Sequence, residues 1–391
     1  MNVKLLFRQK KQKKIIRKIK PISKKKPKKK ITQIEIFNKK IKILIVNILI
    51  LFLIEKKIYD FKNYKFSLND IIQQNKICYK AKHFFLFKND IIKNSNYKNK
   101  IHISMAIDNN SFYTSLVSMV SALENNNKIK NILVYHLLLS YNFNKNFITT
   151  FDTLKNKYEV KIYYYIIPNI FKNYRSWQGG TKTIYYKLLL PFIMYRLERI
   201  IYLDADTLIF KDLLEMYNLP FNDNYALGYP FHDVHKIDKF VKNATYYING
   251  GVILFNLKKI RNDKKDFELV KFTIKNNRNL FFLEQDSINI VFFQKIWLLP
   301  LKYGIYLYGN IESFEKKIQY RIRFTLNRTE ILNAIDEPSI VHFSGCLPKI
   351  WFKQSRNGFG VDSICKRFHK EFYYYANKTN NFSEIYKKFI G

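Results

Sequence analysis

Five groups of polar residues stand where apolar runs stop. The sharpest is Arg199-Ile200-Ile201-Tyr202-Leu203-Asp204-Ala205-Asp206, an apolar stretch that ends on two carboxylates one residue apart. Side chains at i and i+2 of an extended segment point the same way, so this pair can converge on one hard divalent cation. The plainer alternative is a pair of solvated residues in a strand-to-helix loop, with Asp206 capping a helix begun near Leu213. Asp108-Asn109-Asn110 follows the run Ile101–Ile107, and Tyr247-Ile248-Asn249-Gly250-Gly251 leads into the run Val252 to Phe255. The glycine pair reads either as part of a site or as a tight turn or bulge. Leu283-Glu284-Gln285-Asp286 opens a helix, where acids are ordinary partners of the helix dipole. His342-Phe343-Ser344-Gly345-Cys346-Leu347-Pro348-Lys349 offers an imidazole, a glycine and a lysine as a strand runs out into a loop.

The elements needed to hold these groups alternate along the chain. Residues 101–107, 132–139, 160–167 and 199–203 read as strands, separated by segments with apolar residues at helical spacing. Residues 185–197 also read as helical, with Pro191 forcing a boundary or kink inside them. Strand and helix in alternation predict an α/β fold, a mostly parallel, doubly wound sheet with flanking helices. In such a sheet Asp108, Asp204 and Asp206 share the carboxyl edge, where nucleotides bind. No glycine-rich dinucleotide loop or phosphate-binding P-loop accompanies them. A diphosphate at that edge would need another source of positive charge, and a metal on Asp204 and Asp206 would supply it.

Charge marks the front of the chain. The formal net charge is +39, from 69 Lys+Arg against 30 Asp+Glu, and residues 1–40 carry seventeen of the cations against the single acid Glu35. Like charges at that density cannot pack a core, so residues 1–40 are expected to be a disordered basic arm. Residues 43–54 are apolar and flanked by lysines. A dozen residues is short for a spanning helix, so residues 41–58 are expected to be a membrane-associating segment. With the arm it makes a two-signal anchor that is expected to leave the bulk of the chain on the cytoplasmic side. Single-pass spanning would instead put the bulk of the chain opposite the arm. A core helix is the bland alternative. Residues 59–100 carry no motif and read as a linker with some helix. Such a basic chain could instead bind nucleic acid, with the Asp pair merely structural, but no zinc spacing, basic zipper or RNA-binding motif is present. Cys78, Cys346 and Cys365 are too few for a disulfide framework or a zinc site.

The order of the groups, from Thr181-Lys-Thr-Ile-Tyr-Tyr-Lys187-Leu188-Leu189 through Asp204-Ala-Asp206, Asn249-Gly250-Gly251, Glu284-Gln285-Asp286 and His342 to Trp351, resembles glycosyltransferase family 8. The resemblance covers residues 101–352 and implies one nucleotide-diphospho-sugar transferase domain of GT-A type; residues 353–391, outside it, are expected to be an aromatic and basic helical tail. It implies a retaining hexosyltransferase that moves glucose or galactose from a UDP-sugar to a glycan or glycolipid, as in lipopolysaccharide biosynthesis. By position, Asp204, Asp206 and His342 would hold Mn²⁺ or Mg²⁺, Asp204 also meeting the ribose. Asp108 and Asn110 would lie near uracil and ribose, Gly345 and Lys349 would clasp the diphosphate, and Asn249, with Asp233, would contact the donor sugar. Glu284 and Gln285 would lie beside the anomeric carbon as the catalytic pair. Lys187 stands where the family usually has arginine and would meet a phosphate or a sugar hydroxyl. Pro348-Lys349-Ile350-Trp351 is displaced by one residue from the family's Lys-Pro-Trp, and Ser111 replaces an aromatic.

Overall fold

A computed structural model describes residues 99–126, 132–176, 181–231, 234–306, 328–345, 349, 351 and 367–389, all within the compact unit Lys57–Gly391. Ten strands form within them: β1 Ile101–Ile107, β2 Leu133–Ser140, β3 Lys161–Ile167, β4 Arg199–Leu203, β5 Thr207–Ile209, β6 Ala226–Pro230, β7 Ile248–Asn256, β8 Ile296–Leu298, β9 Ile305–Tyr306 and β10 Ile340–His342. Seven build one sheet in the order β3-β2-β1-β4-β7-β6-β8, and β5-β10-β9 build a second. Every residue of β1 and β2 is buried, as strands covered on both faces must be. Pairings between β1, β2, β3 and β4 are all parallel, as the alternating pattern predicts. The departure is β7, antiparallel to both β4 and β6. A parallel return needs a long crossover, usually a helix, whereas the described part of the β6–β7 connection has only the 3-10 turn Val234–Ile237.

Helical layers cover both faces. Ile101, Ile103, Met105 and Ile107 of β1 pack with Leu116, Met119, Val120 and Leu123 of the helix Phe112–Asn125. On the other face Ile200 and Tyr202 of β4 pack with Tyr185, Leu188 and Leu189 and with Ile288 of the helix Glu284–Val291. Residues 182–193 are helical but change type, a 3-10 helix Lys182–Leu189 followed by an α-turn Leu190–Ile193. Pro191 sits in the first turn of the second, where a missing N–H costs nothing. The helix expected near Leu213 is Leu214–Asn218, and Asp212 accepts the Leu214 N–H at 2.6 Å. Asp206 does not cap it, because β5 intervenes.

The tail belongs to the same body. Its helices His369–Asn377 and Phe382–Phe389 bury Phe372, Tyr375, Ala376, Ile385 and Phe389 in the core cluster that contains β1. Among the described residues no helix is long and apolar enough to cross a membrane. Residues 1–58, which hold the expected basic arm and apolar segment, lie outside the described residues, as do 59–98.

Candidate active site

Strand register assembles the site. β4 leaves the large sheet after Leu203, β5 enters the small sheet at Thr207, and Asp204-Ala205-Asp206 is the joint between them. β10 runs antiparallel to β5 with His342 opposite Thr207, and the Phe343 N–H donates to the Asp206 carbonyl at 3.0 Å. His342 is thereby delivered to the aspartates from 136 positions away, its Nε2 lying 3.1 Å from Asp206 Oδ1 and 3.6 Å from Asp204 Oδ2. On the other side the Asp204 N–H donates to the Gly251 carbonyl at 2.7 Å, extending the β4–β7 ladder. The glycine pair lies within the strand β7 and forms no tight turn. Gly251 is required by proximity: a Cβ there would stand 2.1 Å from His342 Cε1.

One ligand atom from each of Asp204, Asp206 and His342 lies within 4.8 Å of the others. Two carboxylates and an imidazole suit a hard or borderline divalent ion, and the structure orients them as ligands. Tyr229 Oη holds His342 Nδ1 at 2.8 Å, which leaves Nε2 aimed at the aspartates. Tyr202 Oη donates to Asp204 Oδ1 at 2.8 Å. Burial would raise the Asp206 carboxyl, but Lys349 and His342 hold it well below the usual carboxylate range. Lys349 Nζ lies 2.7 Å from Asp206 Oδ2 and 2.6 Å from the Phe343 carbonyl oxygen. Its aim is therefore the aspartate joint, where the resemblance implied a diphosphate clasp.

Lys187 lies at the centre of the site's buried charges. It is 1% exposed, and its Nζ donates to the Gly250 carbonyl at 2.7 Å, to Glu284 Oε1 at 3.1 Å and to Asp204 Oδ1 at 3.4 Å. The Tyr202 ring lies 4.6 Å below it. An ammonium has three hydrogens, and three protein oxygens surround this one, so Lys187 spaces the two site carboxylates Asp204 and Glu284. Burial opposes its charge, but Asp204 and Glu284 outweigh that and raise its pKa. Burial pushes Glu284 up to about 7, Lys187 pulling it down and Asp204 adding to the rise.

Gln285 accepts the Gly250 N–H at 2.7 Å and donates to Tyr247 Oη at 3.2 Å, while Asn249 accepts the Gly251 N–H at 2.7 Å. Leu283, just before Glu284, adopts φ 58°, a strained value for a branched residue that sets the entry of this helix. Asp286 accepts from Tyr247 Oη at 2.6 Å and from the Phe281 and Phe282 amides. Asp108 lies at the end of β1, beside β4, and its Oδ1 accepts from the Asn110 and Ser111 amides and the Ser111 hydroxyl. Among the described residues no hydrogen bond or ion pair joins Asp108 or the exposed Asn110 to the metal-capable cluster. Gly345 ends the 3-10 turn Phe343–Gly345, and Asp233 is outside the described residues. Sequence reasoning missed Tyr202, Tyr229 and Tyr247. In a chain with 29 tyrosines, only the partner of each hydroxyl distinguishes them.

Residues 102–355 match the family model for glycosyl transferase family 8. The lipopolysaccharide 1,2-glucosyltransferase of Escherichia coli is 30% identical over 264 residues, 64% of this chain and 73% of that one. Among solved structures, the bifunctional glycosyltransferase WbbM superposes with a TM-score of 0.60 at 20% identity, covering 76% of this chain and 53% of its own. This chain thus spans about half of WbbM. The galactosyltransferase LgtC, solved with donor and acceptor sugar analogues, superposes with a TM-score of 0.57 at 16% identity, covering 72% and 96%. At those identities the two structures speak for the fold alone. The family match runs through well over half of the chain and carries Asp204, Asp206 and His342 inside it, so the protein belongs to glycosyltransferase family 8 and is a glycosyltransferase.

Proposed function

We propose that this enzyme moves a hexose, glucose or galactose, from a UDP-sugar to a glycan or lipid-linked acceptor with retention of configuration, using Mn²⁺ or Mg²⁺ held by Asp204, Asp206 and His342. The observation that carries this reading is the convergence of those three side chains at the carboxyl edge of the sheet. Family membership supports a nucleotide-sugar donor and a glycan acceptor. The 30%-identical relative is named for glucosyl transfer, which makes UDP-glucose the first donor to test.

In this scheme Asp108 and Asn110 meet uracil and ribose, Asp204 the ribose, Gly345 and Lys349 the diphosphate, and Asn249 the donor sugar. The bound ion supplies positive charge where the leaving diphosphate gathers negative charge. Gln285, anchored by Gly250 and Tyr247, presents its amide to the anomeric carbon, and Lys187 holds Glu284 in place beside it. The acceptor oxygen bonds to the anomeric carbon from the face that UDP leaves. The carbon–phosphate oxygen bond breaks, and the acceptor proton passes to the departing phosphate. Residues 101–352 form the catalytic domain, and residues 1–58 hold it at a membrane surface on the cytoplasmic side.

Release of UDP from UDP-glucose and UDP-galactose, with and without Mn²⁺, tests the reaction. Turnover should require the ion and vanish in Asp206→Ala, and near-normal turnover by that variant rejects the site. Fractionation of the full chain in low and high salt tests the anchor, since an electrostatic attachment washes off as salt rises. A chain that stays in the soluble fraction at low salt rejects it.

A further inference from the structure

The end of the chain makes contacts that lie beyond the family match, which stops at residue 355. Two consecutive residues of the helix Phe382–Phe389 reach different loops. Lys388 donates from Nζ to the Asn110 carbonyl oxygen at 3.2 Å and stands 5.1 Å over the Tyr113 ring. Phe389, 5% exposed, packs on Trp351 with ring centroids 6.0 Å apart. Lys349 Nζ lies 5.7 Å from the same Trp351 ring and 2.7 Å from Asp206. Ile385 is fully buried one turn earlier, so the helix is anchored and not merely draped on the surface. A single turn therefore touches the Asp108–Asn110–Ser111 turn after β1 and the far end of the segment that begins at His342.

We propose that Lys388 and Phe389 are positioning residues of the donor site, tying those two loops to one helix and so fixing the nucleotide end of the site before a donor arrives. The proposal rests on the reading of Asp108 and Asn110 as nucleotide contacts. Its physical content is preorganisation: a loop that must be ordered on binding subtracts that ordering from affinity, and one already held does not. The Asp108 side chain closes its turn from within, and Lys388 holds the same turn from outside through a carbonyl. Lys388 is itself an exposed residue, so its hold on the turn comes from the placement of its ammonium over Tyr113 and against the Asn110 carbonyl.

The test is calorimetric titration of the full chain with UDP in Mn²⁺, alongside KM and kcat for donor hydrolysis. Lys388→Ala should weaken UDP binding and raise KM by about fivefold, the fold-change of one hydrogen bond, with kcat and melting temperature unchanged. Lys388→Arg should restore most of the loss, and Lys387→Ala, an exposed neighbour, should change nothing. Phe389→Ala should weaken UDP binding in the same direction; if it also loosens the tail, the Lys388 pair still decides. UDP affinity within twofold of wild type in Lys388→Ala overturns the assignment, as does an equal loss in Lys387→Ala. Wild-type protein that binds no UDP in Mn²⁺ overturns the nucleotide reading itself, whereas binding that Lys388→Ala leaves untouched overturns this inference alone.

Discussion

Lys187 shows what a single residue does once it is buried. Read from the chain it is one of 69 basic residues, and nothing in its neighbours says whether its charge faces a ligand or the protein. Position by resemblance put it in the site; only the fold gives it Asp204, Glu284 and the Gly250 carbonyl as partners. Removing it strands two carboxylates, and breaking a buried ion pair from one side costs about 3–5 kcal/mol. Lys187→Met should therefore lose roughly that much in urea denaturation at pH 7, and Glu284→Gln added to it should recover part of the loss. Glu284 also sets a pH dependence. Burial pushes its carboxyl up to about 7 in the folded chain against an ordinary 4.5, so between those values the folded chain keeps a proton that the unfolded chain has released. Stability contributed by Glu284 then falls as pH rises from about 4.5 to 7, with the full cost present above 7. Lys187, raised when folded, acts in the other window, its contribution present below 10.5 and lost above it. Melting temperature of metal-free protein across pH 4.5–7 should slope downward in wild type and flatten in Glu284→Gln. Equal slopes would remove Glu284 as the source.

At the scale of elements, the apolar runs and their polar ends were legible, and their pairing was not. β1 to β4 follow from apolar runs, of which β1, β3 and β4 stop on Asp or Pro, and Asp204 and Asp206 stand out because the run before them is clean. The reversal of β7 against β4 and the β5–β10 pairing depend on contacts between segments far apart in the chain, the second across more than a hundred residues, which no local period encodes. The glycine pair illustrates the gap. Its composition is equally that of a turn, but in β7 the pair is extended, and Gly251 is small because an imidazole occupies its side-chain space. Gly251→Ala should push the His342 ring away and weaken Mn²⁺ binding, measured by electron paramagnetic resonance, by at least about tenfold. Gly250→Ala should do much less to the metal, since its added Cβ would stand 3.3 Å from Gln285 and not against the imidazole. Similar metal affinity in Gly251→Ala and wild type would show that the ring does not ligate.

At the scale of the whole molecule, the described residues build two sheets that meet at the aspartates. Asp204 follows the last residue of β4 in the large sheet, His342 ends β10 in the small one, and Asp206 lies between. An ion gripped by all three would clamp one sheet to the other, so unfolding must release it. At a hundredfold excess over its dissociation constant such a ligand stabilises the fold by about 2.7 kcal/mol. For a domain of this size that is a rise of roughly 5–10 °C in melting temperature, reversed by EDTA and absent in Asp206→Ala. Lys349 gives the clamp a competitor, since its ammonium sits 2.7 Å from the Asp206 oxygen that an ion would also seek. Two cations cannot share that carboxylate without repulsion, so Lys349→Met should bind Mn²⁺ more tightly than wild type while binding UDP more weakly. A purely structural lysine would weaken both when removed, and the opposite signs separate a lysine that trades partners from one that only supports the loop.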